Sequence, residues 1–342
     1  PVRVGLVGAG AIGRFVAAEL AEGGAEVVAL ERRAGSPRVT AVRVGGRSVL
    51  PTVPVRLTTD PAALSGVEAI LVAVKGSDTE AVGRTLAPVV EPGTVVVSLQ
   101  NGLDNADRLR AALGSCVAGG VVTYNVYLDA DGCAHQATSG PLMAEALGQP
   151  YAPVLSRLAQ AFARGGERLE LRRDIAAIQA GKLLVNLNNG VCAATGLGIA
   201  ASLRDGDTRA CFAMCIEEGS RVFAAAGRRA ARVTALPPWL LARALRLPDA
   251  WVSRLAKRLA NVDEEARSST LQDLDRGRAT EIGELNGAIV ALAERVGATA
   301  PANAEVTAVV REHERAVSAG DRPTFVTPAA LRARLLRAVR GP

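Results

Sequence analysis

Short apolar runs alternate with helical segments in the N-terminal part of the chain. Residues 2–7 (VRVGLV) are apolar and end at Gly8, and Ala11–Glu22 then carries apolar residues at helical spacing. A second run, Glu26–Leu30, ends at the charged triplet Glu31-Arg32-Arg33. The pattern predicts a strand, a tight turn, a helix and a second strand, which together form one βαβ unit.

The alternation continues to about residue 172. Segments on either side of Gly45-Gly46 predict a hairpin, and the runs 69–74 and Thr94–Ser98 predict buried strands, followed by helices that start near Asp78 and Asp104. Because strands alternate with helices, we expect a parallel sheet. Shorter, glycine-punctuated runs between residues 117 and 147 predict an antiparallel extension at its edge.

The remainder of the chain has helical spacing, with breaks at Gly196, Gly198, Gly206, Pro237-Pro238, Pro248 and Pro301. A length of 342 residues suits two hydrophobic cores. We therefore predict an α/β domain over residues 1–172 and an all-α domain over residues 173–342. The last segment, 331–340 (LRARLLRAVR), predicts a basic amphipathic helix that docks on its own domain.

Composition indicates an ordinary globular protein. The net charge is +6, but the basic residues are scattered and only 3% of residues are aromatic, which argues against nucleic-acid binding. Five cysteines without a CxxC pair indicate neither a disulfide framework nor a metal site. The N-terminal residues lack a secretion signal, and no apolar run reaches membrane-spanning length. We expect a cytoplasmic monomer or homodimer without a membrane partner.

The first predicted turn has the sequence Gly8-Ala9-Gly10-Ala11-Ile12-Gly13, a GxGxxG motif between a strand and a helix. Gly8 permits the tight turn, Gly10 lets the backbone approach a pyrophosphate, and Gly13 lets the helix pack closely on the strand. The helix N-terminus favours the anion. We assign Gly8, Gly10, Ala11, Ile12 and Gly13 to a dinucleotide site.

The end of the second strand gives two opposed signals about the dinucleotide. Glu31 can accept a hydrogen bond from a ribose 2′-hydroxyl, as in NAD sites, whereas Arg32 or Arg33 can pair with the 2′-phosphate of NADP. The residues alone leave the choice open.

Lysine is scarce, since the chain contains only Lys75, Lys182 and Lys257. Arginine keeps its proton near neutral pH, whereas a partly buried lysine can donate one to a developing alkoxide. Lys257 lies in a basic stretch and is expected to be solvated. The two histidines, His135 and His313, are expected to be structural or exposed.

Lys182, Asn186 and Asn189 are separated by four and three residues, so they share one helical face. Asparagine is uncommon inside helices, which favours a polar pocket over a solvated stripe. Lys75 and Asn101 follow consecutive predicted strands, and the carboxyl ends of parallel strands are where such sheets bind ligands. Either of them can also be an ordinary turn residue.

Together these motifs resemble the ketopantoate reductase family. The resemblance is carried, in order along nearly the whole chain, by VGLVGAGAIG, VKGSD, LQNGL, KLLVNLNN, RSSTLQDLDRGRATEIGELNG and ATAPAN. It implies a Rossmann-type domain followed by an all-α domain, on a plan similar to that of 6-phosphogluconate dehydrogenase. It also implies NADPH-dependent reduction of 2-dehydropantoate to (R)-pantoate, on the route to pantothenate and coenzyme A.

The resemblance further implies roles for individual residues. Lys182 donates the proton, Asn101 and Asn186 orient substrate and cofactor, Ser269 binds the substrate, and Glu281 holds the substrate and the cofactor ribose. From the residues alone, the run Ser268-Ser269-Thr270 can instead be an ordinary helix cap and Glu281 a first-turn acid.

For the cofactor, the resemblance places Lys75 at its edge and Arg32 at the 2′-phosphate, which favours NADPH, although Glu31 keeps NADH in play. The chain also departs from the family, which often has a second substrate-binding asparagine where Gly190 stands here; Asn189, one place earlier, is assigned instead. The segment 236–255 is an insert. Alternatives are a reductase of another 2-oxo acid, an opine-type dehydrogenase, and a non-catalytic NADP sensor.

Overall fold

The computed structural model describes residues 1–32, 38–51, 54–249 and 267–341. The chain divides into two compact units, Pro1–Ala176 and Ala177–Pro342, and the boundary falls within one long helix. Arg33, Lys257 and residues 250–255 of the predicted insert lie outside the described residues. Among the described residues, no helix combines the length and the apolar character needed to cross a membrane.

The described residues of the first unit form twelve strands in two sheets. In chain order they are β1 Arg3–Val7, β2 Glu26–Leu30, β3 Ala41–Val42, β4 Ser48–Val49, β5 Arg56–Thr58, β6 Ala69–Val72, β7 Val95–Ser98, β8 Val117–Val122, β9 Val126–Leu128, β10 Ala134–Gln136, β11 Leu142–Glu145 and β12 Leu169–Arg172. The larger sheet has the order β12-β11-β8-β7-β6-β1-β2-β5, and the smaller one has the order β4-β3-β10-β9. In the larger sheet only the pairing of β8 with β11 is antiparallel.

Helices cover the larger sheet and explain the apolar runs of its central strands. Every residue of β6 and β7 is buried, as expected for strands packed on both faces. Phe15 and Leu20 of the first helix and Phe162 of the last one are fully buried in one core. The helices of this unit are Ala11–Glu22, Thr79–Leu86, Asn105–Leu113 and Ala152–Gly165, with short 3₁₀ turns at Pro61–Leu64, Gly76–Asp78 and Gly114–Cys116.

Most of the predicted elements of this unit are confirmed, and the prediction for residues 117–147 is confirmed in part, since β11 pairs antiparallel with β8 near one edge of the larger sheet. The first helix and β2 have their predicted bounds, and β3 and β4 form the predicted hairpin. However, β8 lies inside the larger sheet, because its glycines let it approach β7: a Cβ on Gly120 would lie 2.5 Å from the Ser98 carbonyl oxygen. At this end of the sheet the edge strand is β12, whereas β10 pairs with β3 of the hairpin and β9 pairs with β10.

The second unit is helical, as predicted: no described residue beyond Arg172 lies in a strand. The long helix ends before Gly196, whose φ of +73° is a conformation that glycine adopts readily. The C-terminal helix docks on its own unit through buried Leu331 and Leu335, which confirms the prediction. Among the described residues, the helices are Ile175–Thr195, Ile199–Arg204, Gly206–Ala225, Pro238–Leu245, Ser269–Asp275, Asn286–Arg295, Pro301–Ser318 and Pro328–Arg340, with a 3₁₀ turn at Ile282–Glu284.

Close contacts between helices explain why residue 190 is a glycine. A Cβ at this position would lie 2.2 Å from the Asn286 side-chain oxygen and 2.9 Å from Val306. Asn286 in turn donates to Asn303 at 3.1 Å within the buried interior. An asparagine at position 190 therefore cannot be accommodated without moving Asn286.

Candidate active site

The glycine loop after β1 has the geometry of a dinucleotide site. Gly8 has a φ of +97°, and a Cβ there would lie 2.8 Å from Val74. A Cβ on Gly13 would lie 2.0 Å from the Gly8 carbonyl oxygen, so the turn and the helix can meet only without side chains. Gly10 differs, because, apart from its own chain neighbours and helix, no atom of the described residues lies within 4 Å of its Cβ position. This open side leaves room for a pyrophosphate to approach the backbone.

The helix that starts after Gly10 offers donors for an anion. Gly10 occupies the N-cap position without a side-chain hydrogen bond, and the first turn contains no acidic residue. Ala11 and Ile12, which open the helix, are half-buried. Backbone N–H groups and the helix dipole therefore face this space without an internal counter-charge, which fits a bound pyrophosphate.

Glu31 and Arg32, the residues at the end of β2 that give opposed signals about the dinucleotide, have different surroundings. Arg14 Nη2 donates to Glu31 Oε1 at 3.0 Å, and Arg14 Nε donates to the Ala9 carbonyl oxygen at 2.9 Å. Arg32 has a side chain that is 78% exposed and pairs with Asp78. The carboxylate thus lies against a buried cation, whereas the guanidinium of Arg32 faces solvent.

Lys75 and Asn101 lie at the carboxyl ends of neighbouring strands, as predicted. Lys75 follows β6 at the start of the turn Gly76–Asp78, and Asn101 follows β7. Because β6 pairs with both β1 and β7 in parallel, both residues lie at the sheet edge where Gly8 follows β1. Both side chains are half-buried. The structure therefore places these two residues on the same edge as the glycine loop.

A buried chain of hydrogen bonds joins the two loops that carry Lys75 and Asn101, and the sequence reasoning missed it. Ser98 Oγ donates to Gln100 Oε1 at 3.0 Å, and Gln100 Nε2 donates to Thr79 Oγ1 at 2.7 Å. Thr79 Oγ1 then donates to Asn105 Oδ1 at 2.8 Å. All four residues are buried. The signal in the sequence that could have indicated this hydrogen-bond chain is Gln100, a polar residue directly after a buried apolar strand.

In the second unit, Lys182 lies in the middle of the helix Ile175–Thr195 and is half-buried. Burial lowers the pKa of its amine from the usual 10.5 to about 8, and the nearby carboxylate of Glu281 acts in the opposite direction. The chain at Ala231 crosses this helix closely, since a Cβ on Gly181 would lie 2.0 Å from the Ala231 carbonyl oxygen. Because its pKa is about 8, the amine can release its proton near neutral pH.

The predicted polar face of this helix exists. Asn186 and Asn189 are half-buried like Lys182, whereas Leu183 and Leu187 are buried. Asn188, between the two, turns toward the interior and accepts a hydrogen bond from Ser202 Oγ at 3.2 Å.

Ser268 and Ser269 have different surroundings. Ser268 is buried, is the N-cap of the helix Ser269–Asp275, and accepts a hydrogen bond from the Leu271 N–H at 3.2 Å. Its hydroxyl also donates to the Asn189 carbonyl oxygen at 3.4 Å, next to the polar face. Ser269 is exposed. The capping role considered for this pair therefore falls to Ser268, and the Ser269 hydroxyl is accessible.

Glu281 lies in a turn that a second acidic residue holds in place. The backbone N–H and the hydroxyl of Thr280 each donate to Glu314 Oε1 at 2.6 Å, and the hydroxyl accepts from the Ile282 N–H at 3.1 Å. Glu281 itself makes no side-chain cap hydrogen bond to the turn Ile282–Glu284. Its carboxylate is therefore not used as a helix cap and acts on Lys182. Sequence reasoning missed Glu314.

Among the described residues, one group of side chains that could hold a metal ion lies outside this constellation. Ligand atoms of Asp129, Cys133 and His135 lie within 4.8 Å of one another in the β9–β10 hairpin. Asp129 Oδ1 accepts from the N–H groups of Asp131 and Cys133, and Oδ2 lies 2.7 Å from His135 Nε2. These hydrogen bonds close the hairpin, which explains why the three side chains lie close together.

From its β5 edge, the larger sheet has the strand order β5-β2-β1-β6-β7-β8, with the glycine loop after β1. This is the arrangement of a Rossmann-type, dinucleotide-binding unit, and here a helical unit follows it. The family model of ketopantoate reductase PanE/ApbA matches residues 4–149, and the model of the C-terminal part of that family matches residues 174–314. The chain belongs to the ketopantoate reductase family, a family of oxidoreductases that bind a nicotinamide cofactor.

Individual proteins support the same assignment. A 2-dehydropantoate 2-reductase of Halobacterium salinarum is 30% identical over 297 residues, which are 84% of this chain and 91% of the relative. The crystal structure of a PanE/ApbA family ketopantoate reductase from Ralstonia eutropha JMP134 is 29% identical, with a TM-score of 0.76 over 92% of this chain and 99% of that chain. D-mandelate dehydrogenase in a ternary structure with NADH and anilino(oxo)acetate has a TM-score of 0.76 at 18% identity over the same shares, which shows a common fold.

Proposed function

We propose that this protein reduces 2-dehydropantoate to (R)-pantoate with NADPH. The observation that carries the proposal is Lys182, a half-buried amine with a pKa lowered to about 8, on a helical face with Asn186 and Asn189. Family membership supplies the reaction type, and the relative from Halobacterium salinarum carries the name of this activity. We assign dinucleotide binding to the first unit and the proton donor to the second.

Lys182 is the general acid in this proposal. A bound nicotinamide supplies a hydride for the carbonyl carbon, and the negative charge that develops on the carbonyl oxygen needs a proton. The protonated amine of Lys182 holds that proton at Nζ and donates it to the oxygen. Because its pKa is about 8, the amine is mostly protonated at neutral pH and still releases its proton more readily than an ordinary lysine.

Three further side chains of the second unit hold the substrate. The amides of Asn186 and Asn189 share the face of Lys182 and can donate to the carbonyl and carboxylate oxygens of a 2-oxo acid. The exposed hydroxyl of Ser269 binds the carboxylate or the hydroxyl of the substrate. Glu281 keeps Lys182 charged before the transfer and accepts hydrogen bonds from hydroxyl groups of the substrate or the cofactor ribose.

The first unit holds NADPH in this proposal. The N–H groups that follow Gly10 bind the pyrophosphate, and Arg32 binds the 2′-phosphate with its exposed guanidinium. Lys75 and Asn101, at the ends of β6 and β7, contact the cofactor on the same sheet edge.

A second candidate is the reduction of another 2-oxo acid with NADH. Two observations favour it: the fold is shared with D-mandelate dehydrogenase, whose structure contains NADH, and Gly190 stands where the family often has an asparagine. An opine-type dehydrogenase belongs to the same class of alternatives. A non-catalytic NADP sensor is disfavoured, since such a protein has no need for a lysine whose pKa is lowered by burial.

A substrate panel tests the proposal. Oxidation of NADPH and of NADH is followed with 2-dehydropantoate, pyruvate and a bulkier aromatic 2-oxo acid, and we expect the highest kcat/KM for the pair of NADPH and 2-dehydropantoate. Lys182→Ala is the matched variant, expected to lose turnover by about a hundredfold or more while binding NADPH as before. Preference for another 2-oxo acid supports the second candidate. Undiminished turnover by Lys182→Ala overturns the assignment of the acid.

A further inference from the structure

A buried ion pair lies at the place where the cofactor is selected. Arg14 follows Gly13 of the glycine loop, and its Nη2 donates to Glu31 Oε1 at 3.0 Å. The side chains are only 7% and 8% exposed, respectively. A second hydrogen bond, from Arg14 Nε to the Ala9 carbonyl oxygen at 2.9 Å, fixes the guanidinium to the loop itself. Arg14 thus joins the glycine loop to the end of β2.

The pair changes what Glu31 can do. An acidic residue at the end of the second strand usually accepts hydrogen bonds from the adenosine ribose and opposes a 2′-phosphate by charge repulsion. Here the carboxylate is buried against a guanidinium, and its charge is balanced within the protein. In a partly buried place the opposing charges act strongly on each other, because little solvent screens them. A phosphate next to Arg32 therefore meets no net negative charge from Glu31.

Arg32 is situated differently. Its side chain is 78% exposed and pairs with Asp78, which is 33% exposed. Exposed pairs of this kind are weak, so Arg32 can exchange the carboxylate for a phosphate, to which a guanidinium binds with two parallel hydrogen bonds. Of Arg14, Glu31 and Arg32, the residue whose side chain is mostly exposed to a ligand is the cation Arg32.

We propose that Arg14 is a positioning residue for cofactor selection: by binding Glu31 it permits Arg32 to select the 2′-phosphate of NADPH. The inference rests on the proposed function, which supplies the dinucleotide. It explains how an acidic residue directly before Arg32 is compatible with NADPH. It also makes Arg14 and Glu31 a coupled pair, so that the effect of changing one on cofactor preference depends on the other.

The test is a set of binding titrations with the whole chain and no substrate. Dissociation constants for NADPH and for NADH are measured by nucleotide fluorescence for the wild type, Arg14→Gln, Glu31→Gln and the double variant. The readout is the ratio of the two constants, which a general loss of folded protein does not change. Arg32→Gln is the positive control, expected to lower the preference for NADPH by about tenfold or more.

For Arg14→Gln we expect the preference for NADPH to fall by about tenfold, because the released carboxylate repels the 2′-phosphate and accepts hydrogen bonds from the ribose of NADH. Glu31→Gln should change the ratio by less than about threefold, since Glu31 is already neutralised, and the double variant should return to within about threefold of the wild type. Arg14→Lys, which keeps the charge, should retain most of the preference.

Two results overturn the inference: an unchanged ratio for Arg14→Gln, or a gain of about tenfold in NADPH preference for Glu31→Gln alone, which means that Glu31 acts on the ligand despite Arg14. If Arg14→Gln does not fold, Glu31→Gln and the double variant still decide, because neither leaves a buried carboxylate without a partner. A wild type that binds neither dinucleotide overturns the proposed function as well. A wild type that binds and turns over NADPH, with the ratio unchanged in Arg14→Gln, overturns this inference alone.

Discussion

Glu314 accepts two hydrogen bonds from one residue, Thr280, at 2.6 Å from its backbone nitrogen and 2.6 Å from its hydroxyl. Glu314 belongs to the helix Pro301–Ser318, whereas Thr280 immediately precedes Glu281. The contact therefore fixes the turn from which the Glu281 carboxylate acts on Lys182.

The first prediction concerns this contact. Glu314→Ala removes the acceptor, so Glu281 loses its fixed position, and we expect kcat/KM to fall by about tenfold. Because the Glu281 carboxylate raises the pKa of Lys182, the fall of kcat/KM at high pH should also begin at a lower pH. Both changes are measured in pH profiles of NADPH oxidation with 2-dehydropantoate.

The controls distinguish a loss of the Glu281 position from a general loss of folded protein. Glu314→Gln keeps an acceptor oxygen and should stay within about threefold of the wild type. Glu312→Ala, two residues earlier, removes only a surface contact to Arg334 at 3.6 Å and should leave the pH profile unchanged. A Glu314→Ala variant with the wild-type pH profile would contradict the positioning role.

The second prediction is the pH dependence of the reaction itself. Lys182 must be protonated to act as an acid, and its pKa is about 8, so kcat/KM for reduction should decrease as the pH rises through about 8. Oxidation of pantoate should show the opposite trend, because it needs the neutral amine. Glu281→Gln removes the charge that raises the pKa of Lys182, and should move both transitions to lower pH. A profile that is flat through this range would argue against Lys182 as the acid.

The local parts of this fold could be predicted from the sequence, whereas its long-range pairs could not. The first helix and β2 were predicted with their observed bounds. Their signals, the spacing of apolar residues and the positions of glycines, involve only a few neighbouring residues. The shared face of Lys182 and Asn186 follows from helical geometry in the same way.

Pairs that join separate elements carry no such signal. Arg14 and Glu31 are 17 residues apart, and Thr280 and Glu314 are 34 apart, so each pair forms only once helices and strands have packed. The same reason explains the error at β9 and β10: strand order within a sheet depends on long-range pairing, and here β10 pairs with β3 of the hairpin and β9 with β10. Sequence alone therefore indicated Lys182, the proposed acid, and missed the residues that we propose to position it and the cofactor.

The third prediction is a pH-dependent contribution of Glu167 to stability. Burial raises the pKa of this carboxyl from the usual 4.5 to about 7; the backbone N–H of Arg168 and the charge of Arg43 lower it, and the charge of Glu19 raises it. Since the folded state holds the proton more tightly than the unfolded state, the stabilisation is present below about 4.5 and is lost as the pH rises to about 7.

Glu167→Gln removes this titration. We expect the variant to gain stability relative to the wild type as the pH rises from about 5 to about 8, measured as the difference in Tm at each pH. Glu91→Gln, the same substitution at an exposed position, is the control. A constant Tm difference for Glu167→Gln would mean that its carboxyl titrates alike in the folded and unfolded states.

The fourth prediction concerns a buried carboxylate that stabilises the helical unit. Glu218 is 1% exposed and accepts hydrogen bonds from the backbone N–H groups of Ala302 and Asn303, at 2.9 and 3.0 Å, and from Asn303 Nδ2 at 2.9 Å. These N–H groups belong to the first turn of the helix Pro301–Ser318, where no intrahelical acceptor exists and the helix dipole favours an anion.

Glu218→Ala leaves these donors buried and unpaired, so we expect the free energy of unfolding to fall by about 3 kcal/mol. Glu218→Gln keeps the shape but turns an amide donor toward groups that are themselves donors, and should be destabilising as well. The adjacent Glu217 offers a matched control, because it pairs with Arg246 at the surface and its removal should cost less than about 1 kcal/mol. Urea titrations of the three variants measure these differences, and equal stabilities of Glu218→Ala and Glu217→Ala would show that the start of this helix does not depend on the carboxylate.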